Sequence, residues 1–395
     1  MRRAIVHIGM PRTGSTSFQE VLARLRPQLA SVGICYPKLA PPGSPDAVDV
    51  NHHRLGQALD RRRPASERRD ALARLDAILA ATEADTVLLS YEDFAVQRPF
   101  WRVPDILAEI FTRRGFVMET VLVVKPQAEQ LASAYALKTQ VVIEGRTFRG
   151  FLRFEGASGR YDYEARLDPW RRACAGRVTA VPFRDRLSGA PLLRRLIDGL
   201  DLGTRLAPLL VPADLEYRTN RSSGPIAVEA SRRLYRLGVH RQMIGHPRRL
   251  GHFLDDWAWS RGLDAERFRG DAPEGLARVA ARYAASNARF AAACWGRSWD
   301  AVIEPAPAAP RTSLPPHRSR RRRKPWSGSS CERRRHTRPS GRPRLAVACG
   351  ACAGGVQGAD RRRGRLSGLA CALARPARSL RSCIEHPTTG SRVRG

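Results

Sequence analysis

Ile5-Val6-His7-Ile8-Gly9-Met10-Pro11-Arg12-Thr13-Gly14-Ser15-Thr16-Ser17 runs from a branched apolar strand through a glycine-bounded turn straight into a helix. Glycine at both ends of the turn permits backbone conformations that other residues avoid. The amides of Gly14 to Ser17 have no helical acceptor and lie at the positive end of the helix dipole, which makes an anion site. The hydroxyls of Thr13, Ser15, Thr16 and Ser17 are expected to add donors, although Ser and Thr at helix starts also serve as plain caps. After the turn, Phe18, Val21, Leu22, Leu25 and Leu29 repeat at the helical period, so Ser15–Leu29 is expected to pack on a sheet.

The same alternation continues outward. Arg3–Ile8, Thr86–Ser90, Thr120–Val124 and Val178–Phe183 are short and rich in branched residues, as strands covered on both faces are. Between them, Ala65–Ala81, Pro104–Arg114, Gln127–Val142 and Pro191–Leu200 are helix candidates. Residues 225–300 contain no strand-like run and are expected to form two or three helices. Alternating strands and helices predict an α/β fold: a three-layer sandwich around a central, mostly parallel sheet.

Composition divides the chain near Glu304. Of 395 residues, 69 are Lys or Arg and 37 Asp or Glu, a formal net charge of +32. Residues 305–395 hold 22 basic and 3 acidic residues, and Leu, Ile, Val and Phe make up only 10 of them. A segment so charged and so poor in core formers is expected to be disordered. The organisation expected is a folded domain over 1–304, a Pro/Ala linker over 305–316 and an Arg-rich tail over 317–395, whose abrupt change of composition resembles a shifted reading frame. No apolar run approaches the ~20 residues that span a bilayer, and no secretory leader precedes the first strand, so a cytoplasmic protein is expected. Of eight cysteines, Cys35, Cys174 and Cys294 are scattered singly, which argues against a disulfide framework.

The bound anion is the next question. A nucleotide-kinase loop reads G-x-x-x-x-G-K-[ST]. Gly9, Gly14 and Thr16 keep that spacing, but Ser15 stands where the lysine that reaches the β- and γ-phosphates would be. The cation is Arg12 instead, at the apex of the turn. Gly9–Gln19 in this form resembles the phosphate loop of bacterial sulfotransferases, G-x-[PH]-[KR]-T-G-[ST]-T-S-x-Q. Further segments are similar to that family in the same order: Val32–Pro37, Asn51-His52-His53, Leu88–Asp93, Val121–Tyr135, Asp162–Arg184 and Asn220–Ser223.

The resemblance implies transfer of a sulfuryl group from 3′-phosphoadenosine-5′-phosphosulfate to an acceptor hydroxyl or amine, on a small molecule, a carbohydrate or a lipid, without a metal. It implies that Arg12, Thr13, Gly14, Ser15, Thr16 and Ser17 hold the 5′-phosphosulfate, with Arg12 on the leaving oxygen, where the usual residue is lysine. Lys125 and Ser133 would bind the 3′-phosphate, and Asn220, Arg221 and Ser222 would close over the adenosine phosphate. For the base that deprotonates the acceptor, Glu92, His52 and His53 all remain open.

Two other functions need weighing. A P-loop kinase or NTPase would require Mg²⁺ and would use Glu92 or Asp93 on its metal side. The run Arg318–Lys324 would bind nucleic acid through phosphates without specificity, since only Trp326 lies nearby to stack on a base. Cys349 and Cys352, with Cys371 and Cys383, lack the second close pair that zinc sites show, so no metal is expected.

Overall fold

In the computed structural model, which describes residues 1–41, 49–217, 222–242 and 248–305, the strands form one all-parallel sheet. They are β1 (Arg2–Gly9), β2 (Ile34–Cys35), β3 (Thr86–Ser90), β4 (Phe116–Val124) and β5 (Val178–Pro182), in the spatial order β2-β3-β1-β4-β5. The fold is α/β, with helices on both faces.

Successive strand residues point to opposite faces, and each set founds its own core. Ala4, Val6 and Ile8 join Val87, Leu89, Leu122 and Val124 beneath the helices Ala65–Ala81, Val103–Arg113 and Gln127–Gln140. Ile5, Leu88, Val121, Val123 and Val181 join Phe18, Val21 and Leu22 of the Ser15–Arg24 helix and Leu193, Leu196 and Ile197 of the Leu192–Gly199 helix. Burial on both faces explains why the strands read as continuous apolar runs.

β1 is flanked by β3 on one side and β4 on the other. The chain leaves β1 for the edge at β2, returns to β3, then crosses over to β4. The direction of winding therefore changes at β1, and the crevice beyond the carboxyl ends at such a point is where open α/β sheets take ligands. The segments after β1, β3, β4 and β5 all open there.

Several elements differ from expectation for local reasons. The helix expected over Ser15–Leu29 is two, Ser15–Arg24 and Arg26–Ser31, because Pro27 suits only a first turn. β4 starts at Phe116: its first residues alternate buried and half-buried, and Glu119 pairs with Arg3 at 2.7 Å on the half-buried side. The helix Phe148–Ala157 contains Gly150 and Gly156, and Tyr163–Ala173 contains Pro169, which masks their period in the sequence. Both have side-chain caps, Thr147 accepting from the Gly150 amide and Asp162 from that of Ala165. Residues 225–300 contain the helices Pro225–Arg236, Arg248–Ser260 and Pro273–Trp295, with a short turn of helix at Val239–Gln242. Among the described residues no helix is long and apolar enough to cross a membrane. The expected linker and tail lie outside the described residues beyond Pro305.

Candidate functional site

The turn after β1 is built around left-handed backbone at Arg12 (φ 66°) and Gly14 (φ 82°). Gly9 faces the neighbouring loop so closely that a Cβ on it would lie 2.1 Å from the Glu92 carbonyl oxygen. The Met10 amide donates to the Val123 carbonyl at 3.0 Å, tying the turn to β4. Gly14 opens the Ser15–Arg24 helix without a side-chain cap, and no acidic residue sits in the first turn. Its free amides are therefore open to an anion. Ser15 is buried, while Thr16 and Ser17 are half-buried. Thr13 departs from expectation: its hydroxyl donates back to the Met10 carbonyl at 2.5 Å, so its proton closes the turn and is not offered to a ligand.

Arg12 at the apex is itself half-buried. Burial lowers its pKa, and the Asp255 charge opposes that shift. Its Nη2 lies 3.5 Å from Ser222 Oγ, at the outer limit of a hydrogen bond. The structure thus brings together two of the residues named from the sequence, Arg12 and Ser222. Asn220 and Arg221 lie outside the described residues.

Lys125 and Ser133 also meet. The Lys125 ammonium, only 4% exposed, donates to Ser133 Oγ at 2.9 Å and to the Arg12 carbonyl at 2.9 Å. It sits 5.4 Å from the centre of the Phe183 ring, and the Tyr163 hydroxyl donates to its carbonyl at 2.7 Å. Pro126 is the residue before the Gln127–Gln140 helix, and the Gln130 side chain reaches back to the Pro11 carbonyl. Burial pushes the Lys125 amine down to about 7, and Arg12, Arg267 and Arg184 push the same way against Glu129. Arg184 is itself in an ion pair with Glu129. Arg184 and Arg267 were not anticipated as site residues. A cation directly after β5 could have flagged Arg184; Arg267 lies far along the chain and carries no local signal.

Across the crevice lies a second group of polar side chains. Gln19 Nε2 donates to Glu92 Oε2 at 2.9 Å and to Ser90 Oγ at 3.0 Å. Asn51 Nδ2 donates to Gln19 Oε1 at 3.2 Å. The backbone N–H of His53 donates to Asn51 Oδ1 at 3.2 Å, and the His53 Nδ1 lies 2.8 Å from the same oxygen. A backbone N–H can only donate, so it fixes which end of the Asn51 amide is oxygen. His53 Nδ1 must then carry the proton, and its Nε2 keeps a lone pair. His52 is the reverse. Its Nδ1 accepts from the Ser90 backbone N–H at 2.8 Å, and its Nε2 donates to the Pro37 carbonyl at 3.0 Å. His52 is buried, its pKa is lowered to about 4 chiefly by burial, and neither nitrogen remains for an acceptor, so it holds the fold and does not qualify as the base.

Glu92 and His53 remain as groups able to take a proton. Burial raises the Glu92 carboxyl and the Gln19 bond opposes this; His53 is half-buried and its pKa is lowered by burial and then by Arg54. Neither Glu92 nor Asp93 caps a helix with its side chain. Gln19 and Asn51, which join Glu92 to His53, were not foreseen in that role. The signal for Gln19 was a polar residue among Phe18, Val21 and Leu22 on a stripe otherwise built for the core. Compared with known protein families, with curated proteins and with solved structures, the chain matches none.

Proposed function

We propose that the chain is a sulfotransferase that uses 3′-phosphoadenosine-5′-phosphosulfate and acts on an acceptor hydroxyl or amine. The observation that carries this reading is the placement of Lys125: a buried ammonium, hydrogen-bonded to Ser133 Oγ and to the Arg12 carbonyl, whose amine burial and then Arg12 push down to about 7. A buried cation whose hydrogen bonds go to a hydroxyl and a carbonyl is completed by an anion. It lies next to a second anion position, the uncapped start of the Ser15–Arg24 helix. Two adjacent anion positions suit a nucleotide phosphorylated at both its 3′ and 5′ ends, and the residues present fit it.

On this reading the turn is P-loop-like. The amides of Gly14 to Ser17 and the hydroxyls of Ser15, Thr16 and Ser17 hold the 5′ end, and Lys125 with Ser133 holds the 3′-phosphate. Arg12 supplies fixed positive charge where negative charge develops on the leaving oxygen, and Ser222 steadies its guanidinium. The co-substrate supplies the activated sulfuryl group. Glu92, or His53 through Nε2, takes the proton from the acceptor. Ser15 in place of a lysine disfavours a triphosphate, whose outer phosphates need that charge.

Calorimetric titration of the full chain with 3′-phosphoadenosine-5′-phosphate, in EDTA and moderate salt, tests the reading. Arg12→Ala and Lys125→Ala are each expected to weaken binding by about ten- to a hundredfold, the value of one charged hydrogen bond. ATP is expected to bind much more weakly. Binding indifferent to both substitutions, or a preference for ATP once Mg²⁺ is restored, would overturn it in favour of a nucleotide kinase.

A further inference from the structure

The helix Arg248–Ser260 buries the wrong side of itself. Its sequence places Leu250, Phe253, Leu254 and Trp257 at i, i+3, i+4 and i+7, the stripe by which an amphipathic helix normally docks. The side it buries is instead Gly251, Asp255 and Ala258, about a third of a turn away. Gly251 is pressed onto the Gln140 backbone, where a Cβ would lie 1.5 Å from the carbonyl oxygen. Asp255 accepts from Ser223 Oγ at 2.9 Å and from the Gln140 side chain. The contacts of the inner side are therefore specific, and the helix cannot simply roll to bury its apolar stripe. Phe253 is left 62% exposed and Trp257 38%, while Leu250 and Leu254 are half-buried and stand outside both apolar cores.

We propose that this stripe is the contact of a homodimer, with two copies of the Arg248–Ser260 helix packed antiparallel about a two-fold axis. The pattern is self-complementary about a point between Phe253 and Leu254. Reversing the helix there sets Leu250 against Trp257 and Phe253 against Leu254, the isologous match that a two-fold contact requires. Charge follows the same symmetry. Arg249 and Asp256 lie on one flank of the stripe on opposite sides of its midpoint, so in the antiparallel pair each comes close to its opposite number in the other copy.

The contact is small. A helix of 13 residues is about 20 Å long, so its stripe covers roughly half the ~800 Å² per partner of a standard interface. A dimer with a dissociation constant in the micromolar range is expected.

Sedimentation of the full chain from ~1 to ~200 μM, in enough salt to screen its surface charge, tests the proposal. The wild type is expected to dimerise, and Phe253→Glu and Trp257→Glu are each expected to raise the dissociation constant more than tenfold. Leu237→Glu, which removes an apolar side chain 74% exposed but off the stripe, is expected to leave it unchanged. Arg249→Glu should weaken the dimer and Arg249→Glu with Asp256→Arg should restore it. Circular dichroism establishes that the variants are folded. A wild type monomeric throughout the range, a dimer insensitive to Phe253→Glu and Trp257→Glu, a double variant as weak as the single, or a monomer whose stripe instead binds lipid vesicles would each overturn it.

Discussion

The two walls of the crevice solve the burial of polar groups in opposite ways. Around Gln19 the polar groups are matched, with the exception of the buried His7 Nε2: Glu92 and Ser90 receive the two protons of one amide, Asn51 supplies a proton to its oxygen, and the ring nitrogens of His52 both meet backbone. Around Lys125 the hydrogen bonds are also made, but they go to a hydroxyl and a carbonyl, and burial, then Arg12, lowers the amine to about 7. A wall that is complete by itself serves geometry, holding a proton acceptor in a fixed tautomer. A wall that buries a cation against neutral acceptors stores free energy that a ligand of opposite sign releases. The contrast can be broken experimentally on either side.

The largest effect is expected on the complete wall. His7 and His52 are buried, and burial lowers both from the ordinary 6.5 to about 4. Between those values the unfolded chain binds two protons that the folded chain refuses. Their contribution is present in full above pH 6.5 and is lost as pH falls toward 4, by roughly 3 kcal/mol for each histidine. Urea unfolding at pH 7, 6 and 5 should show this slope, and His52→Phe should remove about half of it while costing about 2 kcal/mol at neutral pH for the two lost bonds. A slope unchanged by His52→Phe would mean that the ring is not held neutral.

Gly9 is where the two walls touch. Its left-handed φ of 124° and the 2.1 Å from its would-be Cβ to the Glu92 carbonyl leave no room for alanine. Gly9→Ala should destabilise by about 3 kcal/mol and displace the turn after β1 from the Glu92 loop, losing nucleotide affinity with it. An alanine variant of unchanged thermal midpoint would show that the two walls are independent.

On the unbalanced wall, an anion held against Lys125 should raise its pKa, so that binding above pH 7 takes up a proton. The dissociation constant for 3′-phosphoadenosine-5′-phosphate should then rise up to about tenfold per pH unit, or about a hundredfold from pH 7 to pH 9. Lys125→Arg, whose charge does not titrate there, should flatten the profile. Titrations in buffers of different ionisation enthalpy count the proton directly. A flat wild-type profile would mean that the charge is balanced after all.

How much of this was legible in the sequence follows the range of the forces involved. The turn after β1 was legible because glycine spacing, hydroxyls and the following apolar stripe are all local, and the sheet was legible because strands buried on both faces leave continuous apolar runs. Two-residue β2 was not, since so short a strand owes its existence to β3 and not to its own composition. Lys125 and Ser133 were legible as a pair from their spacing on one strand end and helix. Arg267 and Asp255 reach the site from more than a hundred residues away, and nothing nearby in sequence records their approach. The two histidines could not be told apart either, because their difference lies in which backbone groups meet their rings.

That difference gives the smallest of the expected effects. The backbone N–H of His53 donates to Asn51 Oδ1 and so fixes it as the oxygen, which in turn fixes the proton on Nδ1. In a long-range proton–nitrogen correlation spectrum His53 should therefore show the Nδ1–H tautomer and His52 the Nε2–H tautomer. Asn51→Leu removes one hydrogen bond, about 1 kcal/mol, which is enough to release the ring to a mixture of tautomers without unfolding the chain. Only His53 should change, because His52 takes its orientation from Ser90 and Pro37. If His53 is Nε2–H in the wild type, it has no lone pair to offer an acceptor at that nitrogen, and Glu92 is left as the proton acceptor of the crevice.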